Sequence, residues 1–436
     1  MSAFSLVTAT NVFKRKFWKM SDAVFNASNV TWSRINKNSD FVGKDMFVSN
    51  PLSFSGGVGS GALPTANVGK YEGSIINAKR IYAVAQVERE AIKASETSEG
   101  AFVKAMQETV KKTLESFMRN CSRQLFADGS GVLAKGAGAA AAAKVTGNGS
   151  TANPYVITLT ASTFFDANLE ERDLVQIGTG AGVDNSGASV ETTYLEIVAV
   201  DTANYTVSLV GTSARLAVLG DVAGAVPPAI NGPANAKFAT TDIIVMQNSY
   251  QNDLTGLRGI SRASIAGTGT LYNVPVQRRW SMDTKDASAA AITVDLINER
   301  MLQIERKSGK VPNLIVCGFK QYQKLLALHE NQKRYNLSPK DSKYAGQFSF
   351  DGLQFMSTAG IVPVVYDRFV HDDEIWLLND NYITMTMRPG GAQWFEEDGT
   401  VFLRDTGSDS YSARYGLYGE LYIIPTFHGH IYNLAV

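Results

Sequence analysis

One periodic segment constrains the fold of this chain more than any other feature of its sequence. Apolar residues recur every three or four positions and form one continuous stripe on a helix, at Val103, Met106, Val110, Leu114, Phe117, Cys121 and Leu125. Ser98 can cap the start of this helix, and Asp128-Gly129 suits its end. The pattern predicts a helix from Glu99 to Phe126, about 40 Å long at ~1.5 Å per residue. A helix of that length is typical of a structural spine.

The segments before this helix are of three kinds. The first forty or so residues lack the periodicity of a core element, and we interpret them as an arm. Residues 50 to 70 are dominated by Gly, Ser, Pro, Ala and Asn, which leaves little apolar surface to offset the entropy of ordering. A long strand from Ser74 to Val87 follows, because small apolar residues occupy every second position from Ile81 to Val87.

Two breaks in composition flank a β-rich region. The tract GAGAAAAAK at 136 to 144 and the run AGAVPPAINGPANAK at 223 to 237 have the character of linkers. Between them lie four short segments rich in β-branched residues, PYVITLT, DLVQIGT, TYLEIVAV and YTVSLVG, the last two joined by a turn at Asp201-Thr202-Ala203-Asn204. The region is predicted to be a small all-β module. For the segment TDIIVMQNSYQNDL that follows, we expect a helix.

The remainder predicts an α+β core followed by strands. Val294, Ile297, Met301 and Ile304 mark one helix face, with Gly309 as its C-cap and Pro312 preventing its continuation. Leu314 to Cys317 reads as a buried strand and Phe319 to Leu328 as a second helix. Four strand predictions complete the chain. They are a hairpin in FSFDGLQF turning at Asp351-Gly352, strands in EIWLLND and YITMTM around a turn, a hairpin in WFEEDGTVFLRD turning at Asp398-Gly399, and a final strand YGLYGELYII.

Composition excludes several classes of protein. Lys plus Arg and Asp plus Glu both total 41, so the chain has no overall charge that would mark a dedicated nucleic-acid binder. No apolar run approaches the ~20 residues that span a bilayer, and we expect neither a signal peptide nor a membrane anchor. Cys121 and Cys317 are the only cysteines and lie in apolar settings. This indicates synthesis in a reducing intracellular compartment and no disulfides.

Signatures of catalysis are absent from the sequence. Gly69-Lys70 is followed by Tyr71, so no phosphate-binding loop is formed, and no nucleophile elbow or dinucleotide fingerprint occurs. His428 and His430 would share one strand face as a metal pair, but packing at a strand end is the favoured reading because few third ligands exist. The acidic runs His371 to Glu374 and Glu396 to Asp398 read as a solvated turn and a hairpin tip. We therefore expect no catalytic residues, no cofactor-binding residues, no metal ligands and no cofactor.

The order of these elements resembles the Hong Kong 97 type of tailed-phage major capsid protein. The match is carried by KVPNLIVCGFKQYQKLLAL, which is similar to the strand and docking helix of that family's axial domain, and by GIVPVVYDRFVHDDEIWLLN and QWFEEDGTVFLRDTGSDSYSARYGLYGEL. The resemblance implies an α+β capsid fold with an arm, an extended loop, a spine helix, peripheral and axial domains, and an inserted all-β domain. The expected boundaries are 1–45 arm, 46–88 extended loop and return strand, 89–136 peripheral domain with the spine helix, 137–236 insertion, 237–293 second part of the peripheral domain, 294–388 axial domain and 389–436 return strands.

What the resemblance implies for function is self-assembly rather than catalysis. Subunits would form pentamers and hexamers of an icosahedral shell around a double-stranded DNA genome, in a virion made in the host bacterial cytoplasm. Expected partners are further copies of the chain, a portal protein, a separate scaffolding protein, a decoration protein and packaged DNA, with no membrane. An encapsulin-like nanocompartment and a phage tail or other virion protein remain as alternatives.

Two further features bear on assembly. Lys14, Arg15, Lys16 and Lys19 surround Phe17 and Trp18, and we interpret them as an arm lying on a neighbouring subunit, with phosphate contact inside the shell as the alternative. Some relatives join a loop lysine to an asparagine of another subunit. Lys70 or Lys79 is suitably placed for such a crosslink, although nothing in the sequence identifies the asparagine.

Overall fold

The fold is that of a computed structural model, which describes residues 30–53, 69–89, 99–137, 145–161, 164–179, 189–219, 238–332, 353–357, 360–396, 400–405 and 407–436. These residues form two compact units. One consists of the described parts of Met1–Phe126 and Thr255–Val436, and the other is Ala127–Leu254.

The described residues contain α-helices, short 3-10 helices and strands. The α-helices are α1 (Val30–Arg34), α2 (Glu99–Phe126), α3 (Ala214–Leu219), α4 (Leu257–Ala266), α5 (Val294–Ser308) and α6 (Phe319–Gln332), and the 3-10 helices are Asp166–Asn168, Asp380–Tyr382 and Pro425–Phe427. The strands are β1 (Asn36–Asn38), β2 (Asp45–Ser53), β3 (Lys70–Asn77), β4 (Lys79–Glu88), β5 (Val132–Lys135), β6 (Tyr155–Thr158), β7 (Leu174–Thr179), β8 (Ser189–Val190), β9 (Leu195–Asp201), β10 (Thr206–Gly211), β11 (Asp242–Met246), β12 (Thr270–Leu271), β13 (Val274–Pro275), β14 (Asp283–Asp286), β15 (Leu314–Cys317), β16 (Leu353–Ser357), β17 (Gly360–Tyr366), β18 (Ile375–Leu378), β19 (Ile383–Met387), β20 (Gln393–Trp394), β21 (Phe402–Arg404), β22 (Ser410–Ile423) and β23 (Gly429–Tyr432).

The spine helix α2 has the bounds that its periodicity predicts. Its stripe is buried from Val110 to Leu125, and the helix packs against β4. Phe117 meets Tyr415 of β22 edge to face, with ring centroids 4.9 Å apart. The proposed cap Ser98 lies outside the described residues. The helix is therefore fixed by one apolar face against the peripheral sheet.

The peripheral sheet is built on β22. Strand β4 pairs along it from Lys79 opposite Gly419 to Glu88 opposite Ser410, while β19, β20 and β21 also pair with it and β1 pairs with β19. The predicted return strand is interrupted at Ala78, because β3 pairs with β2 whereas β4 joins this sheet. The alternation predicted for β4 is confirmed, since Ile81 and Ala85 are buried.

The predicted hairpin in WFEEDGTVFLRD is wrong. Strands β20 and β21 lie at its two ends, and both pair with β22. The local sequence does not reveal this pairing, because each short strand can pair with the long strand β22 instead of with the other short strand. The proposed turn at Asp398-Gly399 lies outside the described residues.

The axial core is a six-stranded sheet in the order β14-β23-β18-β15-β17-β16. The predicted sequence of helix, buried strand and helix is confirmed as α5, β15 and α6. Thr293 caps α5 by accepting a hydrogen bond from Leu296 N, and Gly309 ends it in the left-handed region at φ 72°. Apolar residues of α5, α6 and the sheet, among them Ile304, Leu325 and Ile375, form one core.

The terminal region bears on three predictions. Strand β23 follows β22 and returns to the axial sheet, so β22 does not close the chain. The proposed turn at Asp351-Gly352 lies outside the described residues, and β16 pairs with β17. The strands in EIWLLND and YITMTM are confirmed as β18 and β19, but they belong to different sheets.

The second unit, Ala127–Leu254, holds a seven-stranded sheet in the order β5-β11-β7-β9-β10-β6, with β8 paired to β7. The four predicted strands are confirmed as β6, β7, β9 and β10. Asp201 shapes the predicted turn, because its side chain accepts hydrogen bonds from the backbone amides of Ala203 and Asn204. The helix expected in TDIIVMQNSYQNDL is wrong, since this segment forms β11. Ile243, Ile244 and Val245 are all fully buried, and such an unbroken apolar run shows no period.

We expect residues 127–254, expressed alone, to fold cooperatively, because Ile177, Ile197 and their apolar neighbours form a core within this unit. Circular dichroism should show a β-type spectrum with a sharp thermal transition. Ile177→Ala should lower the free energy of unfolding by about 2–5 kcal/mol through the cavity it leaves. A gradual melt that Ile177→Ala does not shift would contradict an independent core.

Candidate assembly surfaces and a buried histidine cluster

The hairpin of β2 and β3 has one exposed apolar face. Phe47 is 68% exposed and Tyr71 is 59% exposed, and the two lie on the same side of the ribbon, opposite Ile75 and Pro51 respectively. The Phe47 ring lies over Gly73, where a Cβ would be only 2.1 Å from the ring. A two-stranded ribbon that exposes two large aromatic rings is typical of a surface that another molecule covers.

The opposite face of this hairpin is attached to the body of its unit. The phenol of Tyr422 donates to Asn50 Oδ1 at 2.9 Å, and Asn50 Nδ2 donates to Ser74 Oγ at 2.6 Å. The amide of Ile75 donates to the carbonyl of Tyr272 at 2.9 Å. The base of the hairpin is therefore fixed by directional hydrogen bonds within its own subunit.

Both ends of the segment from 50 to 70 are ordered, although its composition leaves little apolar surface to offset the entropy of ordering. Asn50 and Leu52 are buried in β2, and Lys70 begins β3. The Gly-rich and Ser-rich composition does not indicate this burial, because Asn50 accepts a hydrogen bond from Tyr422, a partner 372 residues away. Residues 54–68 lie outside the described residues.

A second exposed apolar surface lies at the edge of the axial sheet. Met356 of β16 is 79% exposed and pairs directly with Ile361 of β17, which is 63% exposed. At the far end of β17, Tyr366 meets Phe319 edge to face with ring centroids 6.0 Å apart. Within the part of the chain that the structure describes, strand β16 pairs with β17 alone and lies at the end of the sheet. An apolar edge strand favours association with another chain.

The candidate crosslinking lysines lie at the starts of two strands. Lys70 Nζ is 3.4 Å from Glu72 Oε1 and 3.4 Å from Gln277 Oε1. Lys79 begins β4. The basic residues 14 to 19 lie outside the described residues, as do Glu397 and Asp398 of the predicted hairpin tip, whereas Glu396 is exposed.

His428 and His430 are both buried, but they have different partners. His428 Nδ1 accepts a hydrogen bond from the amide of Asn379 at 3.2 Å. His430 Nδ1 is 2.7 Å from Ser261 Oγ, and its ring stacks on Trp376 with centroids 3.7 Å apart. The pair does not converge on one point. His430 instead faces a different group of residues, which lies in the segment predicted to be a solvated turn.

The interpretation of His371 to Glu374 as a solvated turn is wrong for Glu374, which is only 7% exposed. Arg258 of α4 donates from Nε to Oε1 at 2.9 Å and from Nη2 to Oε2 at 2.9 Å. Nδ1 of His371 lies 3.9 Å from Oε1, and Nε2 of His430 lies 3.8 Å from it. The sequence could not show this, because Arg258 is 116 residues away.

Burial determines the charges in this cluster. It lowers the pKa of His371 to about 3 and that of His430 to about 4, so both imidazoles are neutral at pH 7. Burial alone would raise the pKa of Glu374, but Arg258 and the two histidines together bring it well below its usual range. The cluster therefore holds one ionised carboxylate between a guanidinium and two neutral imidazoles.

Both cysteines are buried and unpaired, as their apolar settings predicted. Burial raises the pKa of the Cys317 thiol to about 12 and that of Cys121 further. Among the described residues, no helix combines the length and apolarity needed to cross a membrane.

Comparisons with known proteins agree with this architecture. Residues 235–420 match the family model of the SU10 major capsid protein. The fold is similar to a chain of the cyanophage A-1(L) capsid asymmetric unit, at 10% identity and a TM-score of 0.50, over 92% of this chain and 91% of that chain. A chain of Mycobacterium phage Adephagia is similar at 9% identity and a TM-score of 0.40, over 94% of this chain and 90% of that chain. A chain from the capsid of a native GTA particle is similar at 10% identity and a TM-score of 0.40, over 93% of this chain and 90% of that chain. No curated protein sequence matches this chain.

The α+β fold, with its anchored hairpin, spine helix and axial sheet, is that of the Hong Kong 97 type of capsid subunit. Together with the match of residues 235–420 to the SU10 major capsid protein model, this fold supports a tailed-phage major capsid protein.

We expect Tyr422→Phe to loosen the β2–β3 hairpin, because it leaves the buried Asn50 Oδ1 without the phenol that donates to it. The cost should be about 1–3 kcal/mol, concentrated at the base of the hairpin. Hydrogen exchange should accelerate in β2 and β3. Tyr418→Phe is the matched control, since its hydroxyl meets Tyr82 at the surface. Equal exchange in the two variants would show that the Tyr422 phenol does not anchor the hairpin.

Proposed function

We propose that this chain assembles through its two exposed apolar surfaces into pentamers and hexamers of an icosahedral shell that encloses the double-stranded DNA of a tailed phage. The observation that carries the proposal is the β2–β3 hairpin, which is anchored to its own subunit on one face and exposes Phe47 and Tyr71 on the other. The family match over residues 235–420 supports it.

The size of these surfaces suits reversible assembly. Covering one such aromatic ring removes on the order of 100–200 Å² of apolar surface from water, or about 2.5–5 kcal/mol at ~25 cal/mol per Å². The ordering of side chains and the loss of rotational freedom offset part of this gain. Each contact is then weak enough to be corrected during assembly, while repetition over many subunits makes the closed shell stable.

The two surfaces differ in the contacts that they offer. The hairpin presents a ribbon face, on which a neighbour's surface packs by side-chain contact. The axial edge presents β16, whose outer backbone groups and exposed Met356 suit contact with another copy around a capsomer axis. This division assigns contacts within a capsomer to the axial edge and overlap between neighbouring subunits to the hairpin.

The shell function includes no catalysis by this chain. Its partners are further copies of itself, a portal protein, a separate scaffolding protein and a decoration protein, in a particle made in the host bacterial cytoplasm. Contact with packaged DNA is local and non-specific, because positive and negative side chains are balanced at 41 each. The basic residues near Lys14 and Lys19 are the segment best suited to phosphate contact.

An encapsulin-like compartment would use similar surfaces but would enclose an enzyme, and a tail protein would form tubes or fibres. The family match favours the phage capsid. Electron microscopy of the expressed chain, combined with nucleic-acid and protein analysis of purified particles, separates the three. Closed shells without a cargo enzyme support the proposal, whereas tubes or a stoichiometric enzyme cargo contradict it.

Phe47→Ser should reduce the yield of closed shells by roughly tenfold or more, because a loss of about 1.4 kcal/mol per contact is already a factor of ten. The melting temperature of the unassembled subunit should change little, since the ring is mostly exposed. Val198→Ser, at an exposed position of β9, is the matched control. Normal shell yield with Phe47→Ser would remove the main support for the hairpin surface.

Met356→Asp should prevent capsomer formation, because a charge would be placed on the exposed edge strand of the axial sheet. Analytical ultracentrifugation should find monomers that melt at the temperature of the parent subunit. Val198→Asp adds the same charge in the other unit and should still assemble. Pentamers and hexamers of Met356→Asp at parental yield would exclude this edge from the capsomer contact.

A further inference from the structure

We propose that His371, Glu374 and His430, with Asp373, form a binding site for a divalent transition-metal ion, with Zn²⁺ as the preferred ion. This site is separate from the assembly surfaces and has no part in the function proposed above. Two imidazole nitrogens and two carboxylates are a donor set that suits Zn²⁺, whereas Mg²⁺ and Ca²⁺ prefer oxygen ligands alone.

The geometry places the donor atoms around Glu374 Oε1. Nδ1 of His371 is 3.9 Å from this oxygen, and Nε2 of His430 is 3.8 Å from it. One ligand atom each from His371, Asp373 and Glu374 lies within 4.8 Å of the other two. Ligand atoms of a tetrahedral zinc site are about 3.4 Å apart when the bonds are ~2.0–2.1 Å long. To reach this spacing, the two imidazole nitrogens would each move about 0.5 Å closer to Glu374 Oε1, and ligand atoms as far apart as 4.8 Å would move about 1.4 Å closer together.

His430 provides an independent indication of a ligand. Its side chain is 95% buried at 5% exposure, yet Nε2 has no hydrogen-bond partner. The ring is held in place by its stacking on Trp376 and by Ser261 Oγ, 2.7 Å from Nδ1. In the tautomer that donates from Nδ1 to Ser261, the lone pair of Nε2 faces Glu374. Ser261 thus has the position of the group that orients a metal-binding histidine from behind.

The charges are compatible with a dication. The two carboxylates of Asp373 and Glu374 and the guanidinium of Arg258 give the group a formal charge of about −1. Arg258 donates hydrogen bonds to both carboxylate oxygens of Glu374. Its guanidinium also repels the ion, which predicts a weaker site than a structural zinc centre with thiolate ligands. The two buried cysteines are not competing ligands, because burial raises the pKa of both thiols.

Binding would join elements that are far apart in the chain. His371, Asp373 and Glu374 immediately precede β18, and His430 lies on the neighbouring strand β23. An ion held by both would fasten the last strand of the chain to the middle of the axial sheet. Ligands that bind only the folded state raise its stability, and the effect grows with ligand concentration.

The test uses the full-length chain without a histidine tag, dialysed against a chelator and then titrated with ZnCl₂. We expect one zinc ion per chain by elemental analysis and a rise in melting temperature of about 5 °C at saturation. MgCl₂ at the same concentration should leave the melting temperature unchanged. Substitution with Co²⁺ should give the visible absorption of a tetrahedral site.

His371→Gln should remove both the bound zinc and the thermal shift, because glutamine cannot replace the imidazole donor. Its side chain is 22% exposed, so the variant is expected to fold. His329→Gln removes a histidine that the proposed site does not use, and as the matched control it should keep both. Ser261→Ala should retain the site but weaken zinc affinity about tenfold. Zinc retention by His371→Gln equal to that of the parent, or no zinc on the parent chain after dialysis, would overturn the proposal.

Discussion

The pairing of β22 on both of its edges is the constraint on which the larger unit depends. Strand β4 covers one edge over ten residues, and β21, β20 and β19 follow one another along the other edge. Strand β19 approaches β22 closely at Gly419, where a Cβ would be 2.2 Å from the carbonyl oxygen of Thr386. Helix α2 packs on the sheet that results, and Tyr422 at the end of β22 anchors the hairpin. One strand thus aligns the spine helix, the sheet and an assembly surface.

Local patterns were predictable and distant partnerships were not. The stripe of α2 and the cap residues of α5 act within a few turns of helix, so their effect is visible in consecutive residues. The partners of β20 and β21 are set by β22, and the burial of Glu374 is set by Arg258, far away in the chain. The same limit applies to the candidate sites. The composition around Phe47 and Asn50 does not show that the first side chain is exposed and the second buried. Their burial is decided by the pairing of β2 with β3 and by the contact of Asn50 with β22.

Two polar networks among the described residues of this unit lie where separate segments meet. Asn50 and Ser74 join the hairpin to β22, and Glu374 joins α4 to the axial sheet through Arg258. Buried polar groups require their partners in a fixed geometry, whereas apolar contacts tolerate sliding. The networks therefore specify how segments are oriented, while the apolar cores supply most of the stability. This explains why removing one partner is costly although each network contributes modestly.

The same separation of roles accounts for how a subunit can expose apolar surfaces for association without losing its fold. Phe47 and Met356 are exposed on ribbons whose attachment depends on other residues, so covering or uncovering them leaves the core unchanged. If the contact residues also belonged to the core, assembly and folding would depend on each other. The loss of a weakly bound neighbour would then destabilise the fold of the subunit. A subunit anchored from behind keeps its contact geometry before any neighbour arrives. The entropic cost of ordering the hairpin base is then already offset by contacts within the subunit. The free energy of the contact between neighbours therefore has to exceed only the cost of association.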